Sequence, residues 1–349
     1  MTKSEINLNK ILKNILKYTL TGVILFGSIY LSFRNIEFAK LSDILKTVNY
    51  WWVIATIPVI LLSHWVRALR WKTMLNPIMK VSSLLNLFSA VMIGYFFNNI
   101  IPRGGEFIRP YVLSKREKVS FSSLFATILI ERILDVLFLM IIFASVFAYS
   151  DKIVNILPKQ INPSYIYILL LLLIVIIIST FFPPVVHFLL KFVKPFSEKL
   201  FNKLTDIFNK LQSGFAIIKN PSLYLRLSIE SLSIWLLYAL PLYFIFFAFP
   251  FQTTYNLGVI DALMLVIVAG VGVTIAPSPG AIGVYHLLIT TAMVQLYGIS
   301  AEEGMAYAIV THFVSRAVEL ITGLVFYLRE NIGTSPFSMN FSSSELEKS

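Results

Sequence analysis

Thr127-Ile-Leu-Ile-Glu131-Arg132-Ile-Leu-Asp135 sits inside the apolar run Phe121–Tyr149, and it decides how the chain is read. A second stretch, Thr311-His-Phe-Val-Ser315-Arg316-Ala-Val-Glu319, lies inside Met305–Tyr327 and aligns with the first without gaps. Threonine, arginine and a carboxylate recur at the same offsets. Both runs are long enough to cross a bilayer. An ionisable side chain at the bilayer centre costs about 2.5–3.5 kcal/mol on insertion scales, so such groups are kept for a pathway, a ligand or each other. The recurrence reads as an internal repeat, a common ground plan of secondary transporters.

The rest of the composition agrees. Of 349 residues, 57% are hydrophobic and 13% charged, and the mean hydropathy is +0.78. This is the signature of an integral membrane protein. With no cysteine there is no disulfide framework, thiolate metal site or cysteine nucleophile. The polar leader Met1–Lys17 is followed by Tyr18–Phe33 with no small-x-small cleavage site, which reads as an uncleaved first span.

The predicted fold is all-α: a polytopic membrane protein with six full spans at 15–33, 50–69, 121–149, 164–182, 227–249 and 305–327. Two further apolar regions are interrupted. One covers 84–113 and breaks at Pro102-Arg103-Gly104-Gly105-Glu106; the other covers 260–297 and breaks at Pro277-Ser-Pro279-Gly280-Ala-Ile-Gly283. Proline removes a donor and glycine relaxes the dihedral limits, so both breaks should unwind helix. Unwound backbone at membrane depth survives only when buried in protein or lining a wet cavity.

Lys and Arg gather in Met1–Lys17, Arg67–Lys80, Arg103–Lys118 and Lys191–Arg226, while the alternate segments hold only Arg34, Lys40, Lys46, Lys152 and Lys159. The positive-inside rule then places both termini in the cytoplasm. It also makes the first hairpin enter and leave on the cytoplasmic side, as a re-entrant pair, and the second dip in from the opposite face. Residues 1–149 form a first membrane repeat and 150–327 a second with inverted topology, followed by a disordered cytoplasmic tail at 328–349. The amphipathic stretch 184–220, with five lysines among its apolar positions from Lys191 to Lys210, reads as a cytoplasmic connector on anionic inner-leaflet lipid. Ile36–Val48 reads as a shorter counterpart on the outer surface.

Candidate substrate-binding residues fall in three groups. Arg103, Gly104, Gly105, Glu106 and Arg109 combine close backbone approach with forked donors suited to phosphate or carboxylate. Arg103, Glu106 and Arg109 would share one face if the turn after the break is helical. Glu131 and Asp135 are i, i+4 acids that repel unless cations join them; Arg132 can serve Asp135, and Arg103, Arg109 or Arg316 can serve Glu131. Arg132 is the expected structural partner, whose loss strands a buried acid. On the second repeat His312, Arg316 and Glu319 form one stripe, with His312 either titrating in a wet cavity or packed as a satisfied core histidine. The uncharged break at Pro279, Gly280 and Gly283 offers backbone dipoles, with His286 in the helix after it.

Each group also has a structural reading, as loop positives, an ion network that fixes helix packing, or a simple turn. Enzyme signals are thin. No histidine pair has metal-ligand spacing, and no catalytic serine or phosphate-loop motif occurs. Glu131 and Asp135 could in principle act as acid and base on a lipid. No cofactor, metal or nucleic acid is implied.

Pro102-Arg-Gly-Gly-Glu-Phe-Ile-Arg109, Ala126-Thr-Ile-Leu-Ile-Glu-Arg-Ile-Leu-Asp135 and Pro279-Gly-Ala-Ile-Gly283 together resemble the lysylphosphatidylglycerol synthase transmembrane, or flippase-like, family. That resemblance implies a protein similar to the membrane half of aminoacyl-phospholipid synthases, which flips modified phosphatidylglycerol to the outer leaflet. The soluble transferase domain of those synthases does not accompany this sequence. The expectation is therefore an inner-membrane protein moving a phospholipid or lipid-linked anionic headgroup between leaflets, with a separately encoded transferase as partner. The alternative is a membrane enzyme or subunit acting on a lipid-linked glycan or aminoacyl-phospholipid.

Overall fold

The computed structural model describes residues 19, 22–77, 79–80, 83–149, 221–276 and 278–330, with isolated positions between 164 and 205. Among these residues there is helix and no strand. We label the helices α1 (Gly22–Phe33), α2 (Phe38–Thr47), α3 (Tyr50–Leu75), α4 (Leu84–Ile100), α5 (Gly105–Glu117) and α6 (Phe121–Tyr149). After Pro221 come α7 (Tyr224–Ala248), α8 (Phe251–Thr254), α9 (Val259–Ile275), α10 (Val284–Tyr297) and α11 (Ala301–Glu330). Among the described residues, four segments are long and apolar enough to cross a membrane: Tyr50–Leu75, Tyr224–Ala248, Pro279–Tyr297 and Ala301–Glu330. The expected span 164–182, the connector 184–220 and the tail 328–349 lie wholly or almost wholly outside the described residues.

Both expected breaks are present. The first falls between α4 and α5, where Arg103 adopts a left-handed φ of 58°. The turn closes with the Gly104 amide donating to the Ile101 carbonyl at 2.9 Å, so that amide is used locally rather than left free. Helix resumes at Gly105, and Arg103 therefore does not share the helical face of Glu106 and Arg109. The second break runs from Ala276 to Gly283, through a short 3₁₀ turn at Pro279–Ala281. Three residues there, Gly280, Ala281 and Gly283, have positive φ. Gly283 is irreplaceable on two grounds, since a Cβ would also lie 2.2 Å from the Ser28 hydroxyl.

The chain divides into two compact units, and each takes segments from both halves of the sequence. One unit comprises 1–60, 97–104 and 238–320. Its α1 meets the second break through the Ser32 hydroxyl, which lies 3.2 Å from the Gly283 carbonyl. An aromatic cluster of Phe246, Phe249, Phe251 and Tyr307 fills its interior. Fully buried Tyr307 satisfies its hydroxyl by donating to the Leu242 carbonyl at 2.8 Å. The amphipathic reading of Ile36–Val48 holds as α2, which turns Leu41 inward and leaves Phe38 exposed.

The other unit comprises 61–96, 105–237 and 321–349. Small residues let its helices approach. A Cβ on Gly94 would lie 3.2 Å from Arg109 Cβ and 3.3 Å from the Gly105 carbonyl. A Cβ on Gly323 would lie 2.5 Å from the Met92 carbonyl oxygen. Trp65, Phe88 and Phe326 stack in series at centroid distances of 5.2 and 5.6 Å. In each unit the apolar residues left exposed, such as Phe26, Trp51, Leu225 and Val325, are those a lipid-facing surface needs.

Candidate functional site

Glu131 and Asp135 stand one turn apart on α6, and three helices bring arginines to them. From α3, Arg67 pairs with Glu131 and, at 3.2 Å, with Asp135. Arg70 Nη2 lies 2.5 Å from Asp135 and 3.8 Å from Glu131. From α5, Arg109 Nη1 donates to Glu131 Oε1 at 2.9 Å. On α6 itself, Arg132 reaches Glu131 at 3.1 Å and Asp135 at 3.3 Å. Glu106 borders the group, 4.0 Å from Arg132 Nε.

Burial makes this arrangement costly unless it is well bonded. Glu131 and Arg70 have no exposed surface, and Arg67, Arg109 and Asp135 are buried. Neighbouring groups hold the arginines in place. The Arg109 guanidinium lies 3.9 Å over the Trp71 ring, whose Nε1 donates to the Thr127 hydroxyl at 2.8 Å. Arg70 Nη1 donates to the Ser231 hydroxyl at 3.0 Å. Met74, Ile130 and Leu227, with Leu134 and Leu223 against them, form an apolar cluster in the same unit.

The charges do not cancel. Arg67, Arg70, Arg109 and Arg132 face two buried carboxylates, with Glu106 at the edge. Several N–H donors are left over: among the described residues, Arg109 Nε and Nη2, Arg70 Nε and Arg132 Nε are buried without a hydrogen-bond partner, as is Glu131 Oε2. A buried charged donor left unsatisfied costs more than about 1–3 kcal/mol. An arriving anion would offset that cost and the excess positive charge together.

Of Arg103, Arg109 and Arg316, the three arginines expected from the sequence as candidates for Glu131, Arg109 is the one that pairs with it, and Arg132 pairs with Asp135 as expected. The sequence reading missed Arg67 and Arg70. Their spacing of three on one helix was the available signal, but they stood beyond the apolar run 50–69 and read as loop positives. Nor does Arg103 serve Glu131: its Nη2 donates to the Thr274 carbonyl at 2.9 Å in the other compact unit.

That unit holds the second polar set. Arg316 Nη1 pairs with Glu319 Oε2 at 2.7 Å, and Asn99 Nδ2 donates to the same oxygen at 3.1 Å. His312 lies one turn before Arg316, its Nε2 2.7 Å from the Gly280 carbonyl. His286 stacks on His312 with ring centroids 4.7 Å apart, and the Tyr285 hydroxyl donates to Thr311 at 3.1 Å. The aligned motifs thus behave alike. Each makes an i, i+3 arginine–carboxylate pair, and each buried threonine bonds an aromatic side chain from another helix. Among the described residues no group of three or more His, Asp or Glu is arranged to hold a metal.

Long apolar helices, a buried arginine-rich ion cluster and two unwound breaks define a multi-pass membrane protein. The profile of the lysylphosphatidylglycerol synthase TM region matches residues 14–323, and the chain belongs to that family. It is 32% identical over 124 residues to a UPF0104 membrane protein of Methanocaldococcus jannaschii, covering 35% of this chain and 37% of that one. A UPF0104 membrane protein of Pyrococcus horikoshii is 33% identical over 87 residues, 24% of this chain and 26% of its own. The glycosyltransferase AglD of Haloferax volcanii is 23% identical over 314 residues, 80% of this chain and 49% of AglD. The chain thus spans half or less of the length of these curated relatives. No solved structure matches it significantly.

Proposed function

We propose that the chain carries a lipid with an anionic, phosphate-bearing headgroup between the leaflets of the cytoplasmic membrane. The observation that carries this reading is the surplus of buried arginine donors around Glu131 and Asp135, above all the two free prongs of Arg109. A guanidinium offers paired, coplanar N–H groups that match a phosphate or carboxylate, and cation–π stacking on Trp71 holds it ready. Glu131 occupies one prong in the resting state, so an arriving headgroup competes with an internal carboxylate. Such exchange is reversible, as transport requires.

Arg103, Gly104, Gly105 and Glu106, at the break that leads into α5, are included in the proposed site, and Pro279, Gly280, Gly283, His312, Arg316 and Glu319 form the corresponding set of the second motif. The arginine–carboxylate pair and aromatic–threonine bond that recur in the two aligned motifs support a repeat. Its inverted topology, with both termini in the cytoplasm, rests on the distribution of Lys and Arg. Anionic inner-leaflet lipids and a separately encoded transferase are the partners this reading takes.

A second reading, action on a lipid-linked glycan as an enzyme subunit or carrier, is favoured by the likeness to AglD across most of this chain. Headgroup selectivity separates the classes. Purified protein in phosphatidylcholine vesicles is loaded with a trace of fluorescent phosphatidylglycerol or fluorescent phosphatidylcholine, and leaflet exchange is read by external reduction of the dye. The transport reading expects phosphatidylglycerol to exchange much faster than phosphatidylcholine and than in protein-free vesicles. Equal rates for both probes would refute an anion-selective carrier.

A further inference from the structure

The break at Pro279–Gly283 is tied to α11 by one side chain. His312 Nε2 lies 2.7 Å from the Gly280 carbonyl, and a carbonyl only accepts, so Nε2 carries the proton. The neutral ring then keeps Nδ1 as its basic nitrogen. His286, on the helix that follows the break, presents its ring to His312 at 4.7 Å. Two of the four histidines of the chain therefore meet at an unwound segment whose backbone is itself unusual. Gly280 and Gly283 have positive φ, and so does Ala281, a side chain that resists that conformation.

We propose that His286 and His312 form a proton-binding site that couples proton movement to rearrangement of this break during lipid transport. A proton on His312 Nδ1 turns the existing Nε2–H···O=C contact into a charge-assisted one and tightens the grip on Gly280. Its loss loosens that grip and frees the strained turn. A proton on His286 opposes one on His312, because the rings touch, so the pair holds one charge at a time.

The surroundings set what must accompany that proton. On α11 stand Arg316 and Glu319, paired with each other. On α10 stands Tyr285, whose hydroxyl is engaged by Thr311. From α4 comes neutral Asn99, bonded to Glu319, and α1 brings the uncharged Ser28, Ile29 and Ser32 to the break. The ionisable group of α9 is Asp261, engaged by the Gly258 amide and opposite Tyr297. Arg103 reaches the break side of α9 at Thr274. Arg316 is neutralised by Glu319, and Asp261 is engaged at the opposite end of α9 from the break. That leaves Arg103 as the added cation near the break, so a proton is accepted most readily when a negative charge arrives with it. Proton and anion then raise each other's affinity by the same factor.

The coupling rests on the transport reading above, and the test separates the two. First, the full chain labelled with ¹⁵N-histidine is titrated in nanodiscs by NMR, with no transport required. The two rings should titrate as a linked pair, and His286→Gln should shift the titration of His312 while leaving His64 and His187 unchanged. Independent titration of His286 and His312 would overturn the proposal even if lipid exchange is normal. Second, vesicles containing fluorescent phosphatidylglycerol receive a gradient of one pH unit. One proton per lipid allows a steady-state leaflet ratio of up to about tenfold. His312→Gln retains an amide donor for Gly280 but cannot titrate. Whatever its rate of exchange without a gradient, it should build no ratio with one. A wild-type protein that exchanges the probe but builds no ratio, or a Gln variant that builds the wild-type ratio, contradicts the coupling. Absence of exchange in wild type would count against the transport reading, with the NMR result still deciding the proton site.

Discussion

At the scale of single residues, the arginines around Glu131 are not equivalent. Arg70 is fully buried and its Nη2 lies 2.5 Å from Asp135, whereas 43% of the Arg132 side chain is exposed. Arg132 was the expected keystone, yet Asp135 keeps Arg67 and Arg70 without it. Removing one member of a buried pair costs about 3–5 kcal/mol, because the other charge is left uncompensated. Arg70→Ala should therefore lower the unfolding temperature and the yield of folded protein severely, and Arg132→Ala only slightly. Thermal unfolding of both variants in the same detergent checks this. Equal losses would mean that Arg132 carries the structural load after all.

At the scale of elements, α11 is fitted to α4 through Gly323. Adding a Cβ there places it 2.5 Å from the Met92 carbonyl oxygen and 2.6 Å from Phe96 Cβ, distances that only movement of a helix can relieve. Gly323→Ala should cost about 1–3 kcal/mol of stability by overpacking. Unchanged thermal unfolding would show that the two helices can separate freely. The same elements show what the sequence could reveal. The breaks near Pro102 and Pro279, the helix carrying Glu131, and the need of Glu131 for an arginine from another element were readable, because glycine, proline and charge each have local consequences; which arginine it would be was not. The extension of α3 to Leu75 was not readable. Hydropathy ends that helix where Arg67 begins the charges, but Glu131, Asp135 and Ser231 partner the arginines from distant positions in the chain. No local pattern contains those partners. Arg103 failed for a related reason, since its left-handed φ turns the backbone just before the helix that would have aligned it with Arg109.

At the scale of the whole molecule, the proposed orientation makes a direct prediction. The chain contains no cysteine, so single cysteines report sidedness without background. Asp43→Cys on exposed α2 should be modified by an impermeant maleimide in intact cells, and Lys115→Cys only after permeabilisation. The reverse pattern, or labelling of both from outside, would invert or abolish the assigned topology. The central claim is narrower: the free prongs of Arg109 read the headgroup. Arg109→Lys keeps the positive charge but loses the planar pair of donors. The decisive measurement is the initial rate of phosphatidylglycerol exchange in vesicles by this variant and by wild type, with equal reconstituted amounts and matched unfolding temperatures. Losing one charge-assisted hydrogen bond of about 1.5–3 kcal/mol should slow exchange by about tenfold or more. Wild-type exchange by a normally folded Arg109→Lys protein would contradict the account and leave the buried cluster with a packing role alone.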